Sequence, residues 1–244
     1  MERCPRRFSD ATEFVLVTLV CYWWAIAANA VAVTGHLMQV SVPVKVNDGQ
    51  MVTLVGIELV GLAVASWIGR ARGWSVWSFG LRPTWTGTGA GVVLATTTAL
   101  ALTLLGLGVN VASPGSVRFE PLPGALSLAV ILLVSAVNPV FEEAMGVGYF
   151  IHALRRFGTW PAVLVSAGFR TLMHAYQGFT AVVIVLPLGI AFALVYSRSG
   201  RLWPLVVAHA VFSLVALLPL ARTAAPGPAA DRGRLVASRE FVAP

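Results

Sequence analysis

Four side chains that can move protons lie within or just beyond apolar runs of the second half of the chain: Glu142, Glu143, His174 and His209. Ionisable side chains inside an apolar span are costly to bury, so they are candidates for function by default. A carboxylate can act as a general base, and histidines from separate helices can help to hold and activate a water molecule. The same residue types also bind zinc. The residues alone leave three interpretations open: glutamate–histidine hydrolysis, a zinc-dependent variant, and structural polar groups in a transporter-like or scaffold bundle.

The spacing of the acidic residues indicates that the two adjacent glutamates have different roles. Neighbouring residues on an α-helix point about 100° apart, so Glu142 and Glu143 must face different surroundings. Asn138 lies one turn before Glu142 on the same face, and Tyr149 is predicted to share that face at i+7. Two ionised carboxylates at this depth repel each other and lose hydration, so both stay charged only where a cation or a metal ion compensates them.

The composition indicates an integral membrane protein. Of the 244 residues, 57% are hydrophobic and only 11% are charged, whereas a soluble domain carries about 25% charged residues. The net charge of +7 comes from arginines that lie between apolar runs, which argues against nucleic-acid binding and favours topology signals and contacts with the lipid bilayer. The two cysteines, Cys4 and Cys21, form no disulfide framework and no metal-binding spacing.

Apolar runs predict an all-α transmembrane bundle of about seven spans, with six and eight as the bounds. Roughly 20 apolar residues cross a bilayer as a helix. Basic loops belong in the cytoplasm, and a cytoplasmic N-terminus places the three arginine-bearing loops inside but the arginine-bearing tail outside, a conflict that stays open. The runs cover residues 14–34, 51–69, 86–111, 125–154, 160–169, 179–196 and 202–220.

The polar residues divide the chain into three parts. Residues 1–120 contain transmembrane helices without a motif, and residues 121–220 contain the candidate catalytic residues. Residues 221–244 form a tail rich in Ala, Pro, Gly and Arg that we expect to be disordered. Within the first part, Glu58 lies at mid-span depth, where a polar packing role is expected and a contribution to the site is the alternative.

Three motifs of the second half resemble those of the CPBP family, the CAAX-protease-like intramembrane endopeptidases. Residues 142–149 read EEAMGVGY and are similar to the family motif E-E-x-x-x-R followed by Gly-Tyr. Residues 170–174 read RTLMH at the place of F-x-x-x-H, and the AYQG that follows is similar to bacterial members. Residues 209–213 read HAVFS at the place of H-x-x-x-N or H-x-x-x-D. The order, spacing and span placement agree over about residues 125 to 220.

This resemblance implies an endopeptidase of a bacterial cell membrane that acts on a membrane-associated peptide or protein. By resemblance, Glu142 activates a water molecule together with His174, and His209, helped by Ser213, stabilises the oxyanion. The substrate, its prenylation and the choice between a glutamate-activated water and a divalent metal such as zinc stay open. The implied catalytic residues are Glu142, Glu143, His174 and His209, and the supporting residues are Arg170, Ser213 and Tyr149.

Three departures from the family pattern qualify the activity that the resemblance implies. Val147 stands at the place of the family Arg, Arg170 at that of the Phe, and Ser213 at that of the Asn or Asp. Because a buried Arg without a carboxylate is very costly, Arg170 is predicted to pair with Glu142 or Glu143. A catalytically silent relative that acts as a membrane binding, scaffold or immunity protein is the alternative. A transporter is disfavoured because no inverted repeat is visible.

Overall fold

The protein folds as a bundle of helices that follow the seven apolar runs of the sequence. The structure is a computed structural model that describes residues 10–37, 47–112, 126–175 and 179–221. The predicted all-α class is confirmed, since every long element in these ranges is a helix; the predicted disorder of the tail concerns residues beyond 221 and lies outside them. The helices are α1 Asp10–Leu37, α2 Asp48–Arg70, α3 Trp85–Ala112, α4 Leu128–Glu142, α5 Phe150–Leu154, α6 Thr159–Met173, α7 Phe179–Ser199 and α8 Trp203–Leu217.

The lengths of these helices fit a multi-pass membrane protein. Five segments of the described residues are long and apolar enough to cross a bilayer, while Val183–Ser199 is a shorter apolar helix and α6 has 15 residues. Large apolar side chains such as Val60 and Leu100 are each 63% exposed on the outside of the bundle, as a lipid-facing surface requires. The five segments are Asp10–Val31, Asp48–Arg70, Trp85–Leu104, Leu128–Phe157 and Trp203–Leu220.

The three arginine-bearing loops lie at one end of the bundle, as the charge pattern predicted. Arg72 and Arg156 both bind Asp10 at the start of α1, at 3.0 and 2.7 Å. The loop between α7 and α8 joins the same end, because the backbone N–H of Leu202 donates to the carbonyl of Gly80 at 3.2 Å. Loops that are far apart in sequence therefore meet at one face of the bundle.

A second set of contacts closes the opposite end of the bundle. The backbone N–H of Ser127, just before α4, donates to the Asp48 carboxylate at the start of α2 at 2.8 Å. The N–H of Leu126 donates to the carbonyl of Leu220, beyond the end of α8, at 3.0 Å. Apart from α4 and α5, which run in the same direction, consecutive helices therefore alternate in direction between two defined ends.

Ion pairs at the arginine-bearing end form what we call the edge network: Asp10, Glu13, Arg72, Trp74 and Arg156. The Arg72 Nε atom lies 2.6 Å from Glu13 Oε2, and the Trp74 indole N–H donates to Glu13 Oε1 at 3.0 Å. Trp74 is only 6% exposed. Its indole N–H, the one polar group of the side chain, tolerates this burial because it donates to a carboxylate inside the fold. The edge network ties α1 to the loop after α2 and to the turn after α5.

The helix that carries the two adjacent glutamates changes its winding at the second of them, Glu143. A π-helix at Glu143–Tyr149 joins α4 to α5 without a break, so that one helix runs from Leu128 to Phe157. Pro139 lies inside α4, four residues before the π-helix, and a proline removes one i→i−4 hydrogen bond and crowds the preceding turn. Such π segments occur frequently at functional sites.

Candidate active site

Three helices meet at the carboxylate of Glu143, the first residue of the π-helix. Glu143 is fully buried, and its Oε1 atom accepts a hydrogen bond from the Arg170 guanidinium on α6. The same oxygen lies 2.8 Å from Nδ1 of His209 on α8. The predicted pairing of Arg170 with a glutamate of the first motif is confirmed. Val147, at the family's Arg position, is a buried apolar residue, so α6 supplies the guanidinium instead.

Glu142 points in a different direction from Glu143 and is partly open, with 24% of its side chain exposed. Its Oε2 atom lies 3.6 Å from the Arg170 guanidinium and 4.0 Å from Nε2 of His209. Its Oε1 atom accepts a hydrogen bond from the Asn138 side chain at 3.1 Å, which confirms the predicted shared face. One glutamate is therefore closed in by partners, while its neighbour remains accessible.

Glu58 of α2 joins this cluster from the first half of the chain. It is fully buried, and its Oε1 atom accepts a hydrogen bond from the Asn138 amide at 2.6 Å. The sequence drew attention to Glu58 only through its depth in an apolar run, since its partner lies 80 residues further along the chain. We call the connected set the interior network: Glu58, Asn138, Glu142, Glu143, Arg170 and His209.

His174 lies at the margin of the interior network, where α6 ends. Its Nδ1 atom is 2.9 Å from the backbone carbonyl of Arg170, and the ring is within electrostatic range of Glu142. When Nδ1 carries the hydrogen that this bond needs, Nε2 is left able to accept a proton. Ser213 is half-buried on α8, one turn after His209. The structure thus brings His174 to the network and keeps Ser213 on the face of α8 that carries His209.

Tyr149 lies in a separate aromatic cluster at the end of the π-helix. Its ring centroid is 5.1 Å from that of Trp74 and 6.1 Å from that of Phe14, and it is 1% exposed. A regular α-helix would place Tyr149 on the face of Glu142, but a π-helix has more residues per turn and shifts this register. Its described ring contacts therefore join it to the edge network, and its supporting role stays a prediction.

The donor atoms of the interior network do not suit a metal ion. Within the ranges that the structure describes, no three His, Cys, Asp or Glu side chains are grouped as ligands of a metal ion. The Arg170 guanidinium binds Glu143 and lies 3.6 Å from Glu142, so it already brings a positive charge to both carboxylates.

A family comparison covers the part of the chain that carries every residue of the interior network except Glu58. Residues 124–215 match the family model described as Type II CAAX prenyl endopeptidase Rce1-like. No curated protein and no solved structure matches the chain. The match confirms, over these 92 residues, the resemblance to CAAX-type endopeptidases that the three motifs indicated.

Proposed function

We propose that the protein hydrolyses a peptide bond of a membrane-associated peptide or protein, because residues 124–215 match the family model described as Type II CAAX prenyl endopeptidase Rce1-like. The site lies within the helical bundle, and a water molecule activated by glutamate and histidine is the nucleophile. The observation that carries the proposal is the meeting of Glu143, Arg170 and His209 beside the partly open Glu142. Ionisable groups at this depth are too costly for packing alone.

Glu142 is the general base in this proposal because water can reach it. Its Oε2 atom and Nε2 of His209 are 4.0 Å apart, too far for a direct hydrogen bond. One water molecule bonded to both atoms at ordinary lengths would make an angle of about 90° between the two bonds. Glu142 takes a proton from this water, and the water oxygen attacks the carbon of the peptide carbonyl. The peptide C–N bond then breaks as the proton passes from Glu142 to the departing amine. His174, near Glu142, helps to orient the water.

Glu143 acts as the residue that holds the site together. It accepts hydrogen bonds from the Arg170 guanidinium and from Nδ1 of His209, which turns Nε2 of His209 towards Glu142. In its protonated form, His209 donates from Nε2 to the oxyanion that forms on the substrate, with Ser213 one turn away. Preorganised donors of this kind supply much of the stabilisation of a developing negative charge.

The wider setting is part of the same proposal. Residues 121–220 form the catalytic region of a multi-pass protein of a bacterial plasma membrane, and helices α1 to α3 of residues 1–120 pack against it. The match to an endopeptidase family supports the peptidase over a catalytically silent relative. The substrate enters from the bilayer, and its prenylation is the variable that the experiment resolves.

Cleavage of membrane peptides by the full-length protein in nanodiscs tests the proposal. The panel pairs each peptide with its prenylated form, so that the lipid requirement and the peptide sequence are varied separately. We expect wild-type protein to cleave at least one pair, and His174→Ala and His209→Ala to slow cleavage about 100-fold or more, since acid–base groups contribute about 10²–10⁴. Thermal unfolding of each variant checks folding. Equal cleavage by folded wild-type, His174→Ala and His209→Ala proteins would contradict the proposal.

A further inference from the structure

We infer that Glu58 is a positioning residue for the proposed hydrolysis, and that it acts on Glu142 through the side-chain amide of Asn138. The inference rests on the proposed function, because Glu142 is the base in that reaction. It adds a residue from α2, outside the part of the chain that matches the family. The geometry that carries it is one amide nitrogen that donates to two carboxylates.

The Asn138 amide links the two carboxylates rigidly. Its Nδ2 atom donates to Glu58 Oε1 at 2.6 Å and to Glu142 Oε1 at 3.1 Å. A side-chain amide has two N–H bonds in one plane, so fixing the direction of one fixes the direction of the other. Glu58 also decides which end of the amide faces Glu142, because a flipped Asn138 would present its carbonyl oxygen to both carboxylates. The orientation of Glu142 therefore depends on a residue that it does not touch.

Glu142 needs such a support more than Glu143 does. Among its measured contacts, the Asn138 bond has hydrogen-bond length, whereas Arg170 and His209 lie at 3.6 and 4.0 Å. Its side chain is 24% exposed, so one side of the carboxylate is not held by packing. The reaction slows when a general base is displaced from the position in which it contacts the water molecule, and a displacement of about 1 Å can lower the rate about 100-fold.

A packing role alone accounts poorly for a carboxylate at position 58. The residue is fully buried in the middle of α2, where an acidic side chain is among the most expensive to place. Its bond crosses from α2 to α4 at a point one helical turn from Glu142. A residue that only filled space between these helices would not need to accept a hydrogen bond from the one amide that holds the base.

Turnover by Glu58 variants of the full-length protein in nanodiscs tests the inference. We expect Glu58→Leu, which removes the acceptor, to lower kcat about 10- to 100-fold with little change in KM. Glu58→Gln keeps an acceptor oxygen for Asn138, so it is expected to restore most of kcat. Asn138→Leu breaks the link from the other end, and combining it with Glu58→Leu should add little further loss. A folded Glu58→Leu protein with wild-type kcat, or a Gln variant as impaired as the Leu variant, would overturn the inference.

A readout that needs no substrate separates this inference from the proposed function. The infrared carboxylate band of Glu142 is assigned from the difference between wild-type and Glu142→Gln proteins, and is then measured in Glu58→Leu or, should that variant not fold, in Glu58→Met. A shifted band supports the link, and an unshifted band refutes it. Should wild-type protein cleave no peptide in the panel, only the proposed function fails, and the infrared band still decides the role of Glu58.

Discussion

The edge network and the interior network both pair acidic side chains with arginine, but they do so under different physical conditions. In the edge network, Asp10 and Arg156 are about half exposed, at 46% and 50%, and two acids face two arginines. In the interior network, three glutamates face one guanidinium and one imidazole, and Glu58 and Glu143 are fully buried. Balanced pairs in contact with water can hold loops together at little cost. An excess of acidic side chains away from water destabilises the fold, and residues that persist at such a cost are candidates for function. The interior network is therefore the candidate site of catalysis.

The two networks are also joined by one stretch of helix. The π-helix begins at Glu143, which binds Arg170 and His209, and ends at Tyr149, which packs on Trp74 of the edge network. A change in the winding of these seven residues would therefore be felt at both ends. The networks differ in charge balance and in exposure. The π-helix that connects them can be tested by a substitution of its own.

The largest expected effect on stability comes from removing one arginine from each network in turn. Arg170→Ala leaves Glu143 buried without its partner and is expected to cost about 3–5 kcal/mol of unfolding free energy. Arg156→Ala, the matched control at the exposed edge, is expected to cost less than about 1 kcal/mol. Unfolding in mixed micelles measures both values.

A double variant makes this comparison sharper. In a Glu143→Gln background, Arg170→Ala should cost clearly less than it does alone, because the charge that it would leave unpaired is already gone. Equal losses of unfolding free energy in Arg170→Ala and Arg156→Ala would mean that burial does not determine how much each arginine contributes to stability.

A smaller effect is expected from crowding the π-helix that joins the networks. A Cβ atom at Gly148 would lie 3.0 Å from Cβ of Phe79, and Phe79 is itself buried between Trp74 and His152. Gly148→Ala is therefore expected to cost about 1–3 kcal/mol of unfolding free energy. Gly168→Ala on α6 is the control, since nothing lies within 4 Å of its added Cβ. An unfolding free energy that falls equally in both variants would show that close packing at Gly148 is not the cause.

Much of the fold follows from local features of the sequence. Apolar runs predict the helices because a bilayer-spanning segment must satisfy its own backbone hydrogen bonds. The pairing of Arg170 with one of the two adjacent glutamates was predictable because a guanidinium buried without a carboxylate is very costly, although the choice of Glu143 was not. Both inferences need only residue type, length and depth, which a sequence displays directly.

Other features depend on contacts that no local pattern contains. The π-helix at Glu143–Tyr149 changed the register that a regular α-helix predicts between Glu142 and Tyr149. The bond between Glu58 and Asn138 joins helices whose partners are 80 residues apart, and one sequence does not reveal that α2 packs on α4. The site was therefore visible as a set of residue types, while the links between them were not.

The most direct test of the account exchanges one carboxylate for an amide in each network. Glu142 is a partly buried acid and Glu13 a largely buried one, and each has a hydrogen-bonded partner. Glu142→Gln and Glu13→Gln each remove the charge while keeping the shape of the side chain. We expect Glu142→Gln to lose about 100-fold or more in kcat while its unfolding free energy stays near that of the wild type. Glu13→Gln is expected to lose about 1–3 kcal/mol of unfolding free energy and to keep its kcat per folded molecule. Wild-type turnover by Glu142→Gln, or an equal loss of turnover in both variants, would contradict the assignment of chemistry to the interior network.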